Sequence, residues 1–499
     1  MGVIKRQGSK HSAVRITSVA LGAMASLFIY PMDLSTYGML VFLLSLSTFL
    51  VYPLTLGFGQ TIIKFYHEFV SEGKKSNFFF TQSIIQGLIL MVTCSVFYFL
   101  QAYFFLALER LNFDLDIIQS NKIIVMGLVV IVAFRFLWLA YTQTIKRIVV
   151  PELLYNILYK IGLPLLIVLS AYNLFDLVQV KWLFLLLLLS INAFLLVYII
   201  TLKKSSFRWD FSKYKKNTIR RMADFSIFGM FTSLGGQLAF RIDNIMVAPL
   251  IGVESNGIYS IMMFMASTLI IPMISIDLIS HPIISKAMVS GDKIEVNKIY
   301  KRGSNIFGTL GIVLFFLIWI HLPIYFNLSE KTQALQSGSS VFLWLGLSKI
   351  FDCLTSINGS IIKFSKYFRF NLFTTLALGC MNIWLNLQLI PIYGLEGVAM
   401  ATAISLSIFN VIKLIFVWKV LGYQPFRKDT VLVLVLFCLC ILLSHLLSPF
   451  IDNFYLRLGL NYGLFLMVLV FPIYKYNLAP DLREMLLQSL NKFWKRKNI

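Results

Sequence analysis

The chain has 499 residues, of which 58% are hydrophobic and 13% charged, with a formal net charge of +22. A soluble protein carries about twice that charged fraction, and here the apolar residues come in runs of about twenty, the length that crosses a hydrocarbon core of about 30 Å. This excludes a single soluble core, because each span must satisfy its own backbone hydrogen bonds as a helix, and the placement of the basic residues in short segments between apolar runs argues against nucleic acid as their partner.

In chain order, fourteen spans are expected, near 14–30, 37–58, 80–101, 122–142, 150–171, 181–201, 224–247, 256–280, 304–322, 338–357, 370–390, 395–418, 430–448 and 459–475. The opening "MGVIKRQGSKHSAVR" is basic, and no small-residue cleavage site follows the first span, so it reads as an uncleaved cytoplasmic segment. With that end inside, the inner segments hold 32 Lys and Arg and the outer segments five (Arg110, Lys122, Lys181, Lys331, Arg457). Such an asymmetry places both termini in the cytoplasm.

The most polar stretch, "KKSSFRWDFSKYKKNTIRR" (Lys203–Arg221), divides the chain near its middle. The expected organisation is an N-terminal lobe over 1–202, a basic cytoplasmic linker over 203–223 and a C-terminal lobe over 224–420. Two extra spans and a basic tail fill 421–499. "GMLVFLLSLSTFLVYP" (Gly38–Pro53) can be laid over "GIYSIMMFMASTLIIP" (Gly257–Pro272), each opening on Gly and closing on Pro 15 residues later. Both segments run from outside to inside, so the halves read as parallel repeats about an axis along the membrane normal.

The sequence offers no enzymatic constellation. "GKKS" at Gly73 lacks the upstream glycine of a phosphate loop, there is no HExxH and no Gly-x-Ser-x-Gly elbow, and the five histidines are scattered. The five cysteines lie in apolar runs without CxxC or CxxH spacing and read as reduced filler. No outer segment exceeds about twenty residues, too short for a catalytic domain. The chain is expected to be neither an enzyme nor a metalloprotein, and to need no cofactor.

The informative residues are the charges inside the spans, since a charge at mid-bilayer costs roughly 2.5–3.5 kcal/mol on insertion scales. In the first half these are Arg15, Arg135 and Lys160, and the interiors of its six spans read as free of Asp and Glu. Arg15 lies about one turn into the first span, within snorkelling reach. Arg135 ("IVAFRFLWLA") and Lys160 ("LLYNILYKIGLPLLIV", one turn before Pro164) are deeper. In the second half, Lys349 and Asp352 are three apart and can pair on one helical face, whereas Arg241 and Asp243 are two apart and point in different directions. Asp277 is a further acid in this half, and Lys413, near the inner end of its span, is expected to snorkel. A hydrated cavity that accepts an anion accounts for this pattern: Arg15, Arg135, Lys160, Arg241 and Lys349 are its candidate cations, and Asp243, Asp352 and Asp277 are structural or coupling acids.

Three stretches carry a resemblance: "LSTYGMLVFLLS…LGFGQTIIKF" (Leu34–Phe65), "RIDNIMVAPLIGVESNGIYSI" (Arg241–Ile261) and "IPIYGLEGVAMATAIS" (Ile390–Ser405). With fourteen spans, the chain resembles the O-antigen-type polysaccharide flippases of the multidrug/oligosaccharidyl-lipid/polysaccharide (MOP) exporter superfamily. That resemblance implies an all-α, V-shaped, MATE-like fold of two six-helix lobes plus two C-terminal helices, working by alternating access in the bacterial cytoplasmic (inner) membrane. It implies an undecaprenyl-pyrophosphate-linked oligosaccharide as substrate, the polysaccharide polymerase and assembly machinery as partners, and H+ or Na+ as the candidate coupling ion. The Asp of the family's seventh span carries over to Asp243.

Three other functions compete. A multidrug and toxin extrusion antiporter shares the fold but is expected to hold an acid inside its first lobe. A lipid-linked peptidoglycan precursor flippase is also cationic inside. A membrane-embedded glycan polymerase or ligase calls for a substantial outer loop, which this sequence lacks.

Overall fold

A computed structural model describes residue 14 and residues 17–70, 77–202, 208, 211, 214–451 and 453–485. Every regular element among them is a helix. The first seven are α1 (Thr17–Met32), α2 (Leu34–Leu54), α3 (Thr61–Phe69), α4 (Phe78–Glu109), α5 (Lys122–Thr144), α6 (Val149–Ala171) and α7 (Leu177–Thr201). After the basic stretch come α8 (Lys216–Leu250), α9 (Val253–Thr268), α10 (Ile271–Ser290) and α11 (Lys293–Phe326). The chain continues through α12 (Ser339–Thr355), α13 (Asn358–Phe364), α14 (Phe368–Phe416), α15 (Lys428–Leu447) and α16 (Phe454–Lys475).

Thirteen of the fourteen expected spans fall mainly on a single helix, and the expected span 256–280 is divided between α9 and α10. Among the described residues, nine helices are long and apolar enough to cross a membrane, or ten if α12 and α13, bent by 48° at their break, form one span. The 49-residue α14 would extend about 70 Å if straight, more than two bilayer cores. It breaks instead at Gly394, whose φ of +54° suits a residue without a Cβ, and so supplies two spans. The 35-residue α8 is long enough but is not among the helices apolar enough to cross.

Short-range chemistry fixes the helix ends. Asp33 caps α2 by accepting from Thr36 N at 2.9 Å, and its other oxygen accepts from Ser170 Oγ at 2.7 Å, tying the start of α2 to the end of α6. Asp176 and Gln179 form a reciprocal capping box at the start of α7. Gly291, left-handed, ends α10, and Asp292 at once caps α11.

The described residues pack into two compact units, Met1–Ile261 with Gly379–Leu395, and Met262–Leu378 with Glu396–Ile499. In the first unit α2 is the central helix, buried against α5 and α8 around Phe42 and Leu43. Gly38 of α2 meets Gly257 of α9: a Cβ on Gly38 would stand 2.7 Å from the Gly257 amide nitrogen and would overlap the Val253 carbonyl oxygen. Asn256 Nδ2 donates to the Gly38 carbonyl at 2.8 Å in the same crossing. The two glycines aligned as repeat anchors are therefore the pair that allows two backbones to touch. A second cluster of this unit gathers Phe65, Phe79, Tyr141 and Ile199.

In the second unit α11 packs on α10, α12 and α15. The segment after α16 folds back, placing Ala479 and Leu482 in a cluster with Ile306, Phe307 and Cys353. Chain order and packing divide the molecule differently: residues 216–261 follow the basic linker in sequence yet pack with residues that precede it.

Candidate functional site

The charged interior of the first unit is built from α2, α5, α6 and α8. Tyr155 and Tyr159 are four apart on α6, which places both rings on one face, and they stack with centroids 5.7 Å apart and planes 6° apart. Arg135 of α5 lays its guanidinium over Tyr155, Cζ to centroid 3.0 Å, with the Phe136 ring at 5.4 Å. Its Nε is buried and makes no hydrogen bond to any described residue. Arg135 as a whole is half-buried, and a cation–π contact contributes about 0.5–2 kcal/mol, less than the several kcal/mol that fully burying an unpaired ion costs.

Arg241 of α8 is exposed. It lies close enough to Arg135 for the two cations to repel, and both act electrostatically on Tyr52. Tyr52 stacks on Phe136 with centroids 5.8 Å apart and lines a cavity of about 240 Å³ whose polar groups include Gln60, Gln86, Gln143 and Ser233. Gln86 donates to the Ala133 carbonyl at 2.8 Å and leaves its own Oε1 buried without a partner. Gln60 hydrogen-bonds Ser233, joining α8 to the turn after α2.

Lys160 is stationed differently. Its Nζ donates to the Ser18 carbonyl of α1 at 2.7 Å, so a main-chain dipole partly answers its charge. Among the described residues no carboxylate comes within ion-pair distance of Arg135, Lys160 or Arg241. The expectation that the first six spans hold no acid needs one correction. Glu152 sits in the first turn of α6, accepts from Asn156 and attracts Arg135 without reaching it. Acids are favoured in a helix's first turn by its exposed N–H groups, and this one reads as a boundary residue in sequence. Arg15 lies outside the described residues.

Asp243 faces away from Arg241, as two-residue spacing requires, and is only 2% exposed. Its carboxylate accepts from Tyr259 Oη at 2.6 Å, Asn382 Nδ2 at 3.1 Å and Asn386 Nδ2 at 3.0 Å. Asn386 Oδ1 is buried without a hydrogen-bond partner. Neutral donors around one carboxylate can stabilise its ionised form, and turning the two amides over would offer oxygens instead. The donor set, one carboxylate with two amides and a phenol, fits a proton or a monovalent cation and is too poor in carboxylates for a tight divalent site. No cluster of three metal-ligating His, Cys, Asp or Glu exists among the described residues.

The remaining candidates lie in the second unit. Lys349 is 6% exposed, and Asp352 accepts from Asn410 Nδ2 at 2.7 Å. The ion pair that their spacing permits does not form, because Asp352 is engaged by α14 instead. Lys413 does not snorkel: it is 6% exposed, with Nζ 3.9 Å from the Phe409 ring centroid. Asp277 accepts from Ser360 Oγ at 2.8 Å and contacts His281 Nε2 at 3.3 Å. These are the residue types of a hydrolytic triad, but one ring nitrogen, Nε2, serves both partners, with Ser360 at 3.0 Å. A relay needs the two imidazole nitrogens to face opposite partners.

Sequence reasoning missed Asn382, Asn386, Tyr259 and the Tyr155–Tyr159 stack. A signal for the first pair exists in "CMNIWLNLQL", where two amides four apart mark one polar face in an apolar run.

No protein-family model matches the chain, and no curated protein matches it. Among solved structures it is similar to "Lipid II flippase MurJ, inward closed conformation", with 16% identity, TM-score 0.67, and coverage of 94% of this chain and 99% of that one. It is similar to an inward-facing multidrug resistance MATE family transporter of the MOP superfamily at 13% identity and TM-score 0.59, covering 80% of this chain and 93% of that one. An outward-facing MATE transporter of the same superfamily gives 16% identity and TM-score 0.50, over 83% and 94% of the two chains. The protein is thus an all-α polytopic membrane protein with the fold shared by that flippase and these MATE transporters.

Proposed function

We propose that the protein is a flippase that carries an undecaprenyl-pyrophosphate-linked oligosaccharide across the bacterial inner membrane for surface polysaccharide assembly. Both termini are cytoplasmic in this reading, segments 1–202 and 224–420 act as the alternating lobes, and the polymerase takes the delivered unit. A MOP-type transporter is supported by the fold. The anionic headgroup is supported by one observation above the others: half-buried Arg135 and exposed Arg241 repel one another without an ion-paired carboxylate among the described residues, and Arg135 Nε makes no hydrogen bond to a described residue. A diphosphate beside them supplies both the counter-charge and the acceptor, and Arg presents a fork matched to it.

Asp243 is the coupling acid in this proposal. It exchanges H+ or Na+ among Tyr259, Asn382 and Asn386, and Arg135, Arg241 and Lys160 form the headgroup wall. Deleting the gene is expected to abolish surface glycan while lipid-linked intermediates accumulate on the cytoplasmic side. Restored glycan with the Arg135→Gln, Arg241→Gln double variant at normal protein level would remove the proposal.

A second reading, a lipid-linked peptidoglycan precursor flippase, is favoured by the likeness to the lipid II flippase structure. The same deletion separates the two. Loss of surface glycan with intact cell-wall synthesis supports the first, and cell-wall arrest supports the second.

A further inference from the structure

The second unit holds a cavity of about 570 Å³ between α11, α12, α15 and α16, and none of the candidate charges is among its lining residues. That volume lies in the range of pockets that enclose whole small ligands. One wall is aromatic. Phe315 and Trp319 of α11 stack with centroids 6.1 Å apart, and Phe326 and Phe454 extend the surface.

The other wall is polar and cationic. Ser444 of α15 donates to Asn461 of α16 at 2.7 Å, and His445 and Arg457 stand beside them. The Ile451 carbonyl holds Arg457 through Nε at 3.1 Å and Nη2 at 2.8 Å, which leaves a guanidinium with more donors than one carbonyl oxygen can satisfy. Among the described residues, no Asp or Glu lines the cavity.

The surroundings narrow the ligand. The outer faces of α15 and α16 expose Val435, Leu439, Leu442, Leu466 and Met467, surfaces that meet acyl chains in a bilayer. A cavity among such helices, apolar along one wall and cationic at one end, matches an amphiphile with a negative head. We propose that it binds an anionic phospholipid, with the phosphate on Arg457 and one acyl chain against Phe315, Trp319 and Phe326. The site does not depend on the transported substrate.

Native mass spectrometry of the detergent-purified full chain, titrated with phosphatidylglycerol or phosphatidylethanolamine, tests this. The wild type is expected to retain phosphatidylglycerol preferentially. Arg457→Gln removes a charge-assisted contact and is expected to cut that retention about tenfold, the equivalent of roughly 1.4 kcal/mol. Ser339→Trp fills the cavity with Arg457 intact and is expected to abolish it, and Arg110→Gln, at an exposed cation of the first unit, is expected to leave it unchanged. Equal retention of the two lipids by the wild type, or undiminished phosphatidylglycerol on either Arg457→Gln or Ser339→Trp, overturns the assignment.

Discussion

Arginine is placed in two opposite settings in this chain. In the second unit, Arg302 and Arg427 both reach Asp481, at 3.1 Å and 2.8 Å, and Arg302 also reaches Glu484 at 3.4 Å. These pairs, with the Asn305 Nδ2 to Leu478 carbonyl bond at 3.0 Å, fasten the segment after α16 to α11 and to Arg427, the residue before α15. In the first unit, Arg135 lies over the Tyr155 ring, and among the described residues neither it nor Arg241 has an ion-paired carboxylate. Where a permanent contact is needed the chain supplies its own acid. A guanidinium left on tyrosine faces gains only part of its lost hydration, and an external anion can supply the rest. The first setting is a clasp and the second is a receptor.

The largest expected effect comes from Arg135→Gln. If Arg135 receives the substrate's charge, transport of lipid-linked glycan into proteoliposomes falls about 10- to 100-fold, the loss of one charge-assisted contact worth about 1.5–3 kcal/mol. The melting temperature holds or rises, because an uncompensated interior charge is removed. A variant that unfolds with unimpaired residual transport breaks the contrast with Arg302 and Arg427.

Next in size is Asp243→Asn. This acid is the mirror image of Arg135, a buried charge given three neutral donors rather than aromatic faces. The substitution keeps the shape and removes the exchangeable charge. Transport is expected to fall about tenfold, matching the loss of one coupling interaction near 1.4 kcal/mol. Its dependence on a proton or sodium gradient is expected to flatten, as read by substrate flux with and without each gradient. An unchanged gradient dependence assigns Asp243 to helix packing alone.

How much of this was legible follows from what a charge can and cannot disclose. Arg135, Lys160 and Asp243 stand out in sequence because each interrupts an apolar run, and the structure places all three on inward contacts. Their partners were not visible, since Tyr155 and Asn382 sit on other helices and are brought near only by packing. Local spacing misled where a tertiary partner was better placed: Asp352 turns to Asn410 rather than to Lys349 one turn away. Snorkelling misled at Lys413, whose ammonium lies over the ring of its own helix neighbour Phe409. Most of the spans were legible because run length in a membrane is set by the solvent and not by the fold, whereas the break between α9 and α10 inside the expected span 256–280 was not.

Lys160 tests the middle of the contrast, being a cation answered by a carbonyl rather than by an acid or a ring. Lys160→Met removes the 2.7 Å bond to Ser18 and releases the start of α1 from α6. A hydrogen bond from a charged donor contributes about 1.5–3 kcal/mol, and the lysine is only half-buried, so the lower end applies. Both transport and melting temperature are expected to drop modestly. A loss of transport as large as that of Arg135→Gln, at unchanged stability, would move Lys160 from fastening to substrate contact.

The smallest effect belongs to the clasp itself. Asp481→Asn withdraws the acid shared by Arg302 and Arg427, whose side chains are 44% and 30% exposed. Water already screens both cations, so the loss is expected to stay near 1 kcal/mol or less, within the range of surface pairs. Glu484 still holds Arg302, which limits it further. The melting temperature should fall by a few degrees at most, more at low ionic strength than at high, because salt weakens attraction between exposed charges, with a screening length of about 10 Å at 0.1 M. Transport should be close to wild type. If Asp481→Asn instead impaired transport as much as Arg135→Gln does, the folded-back segment would belong to the working cycle, and the division between arginines that fasten and arginines that receive would fail.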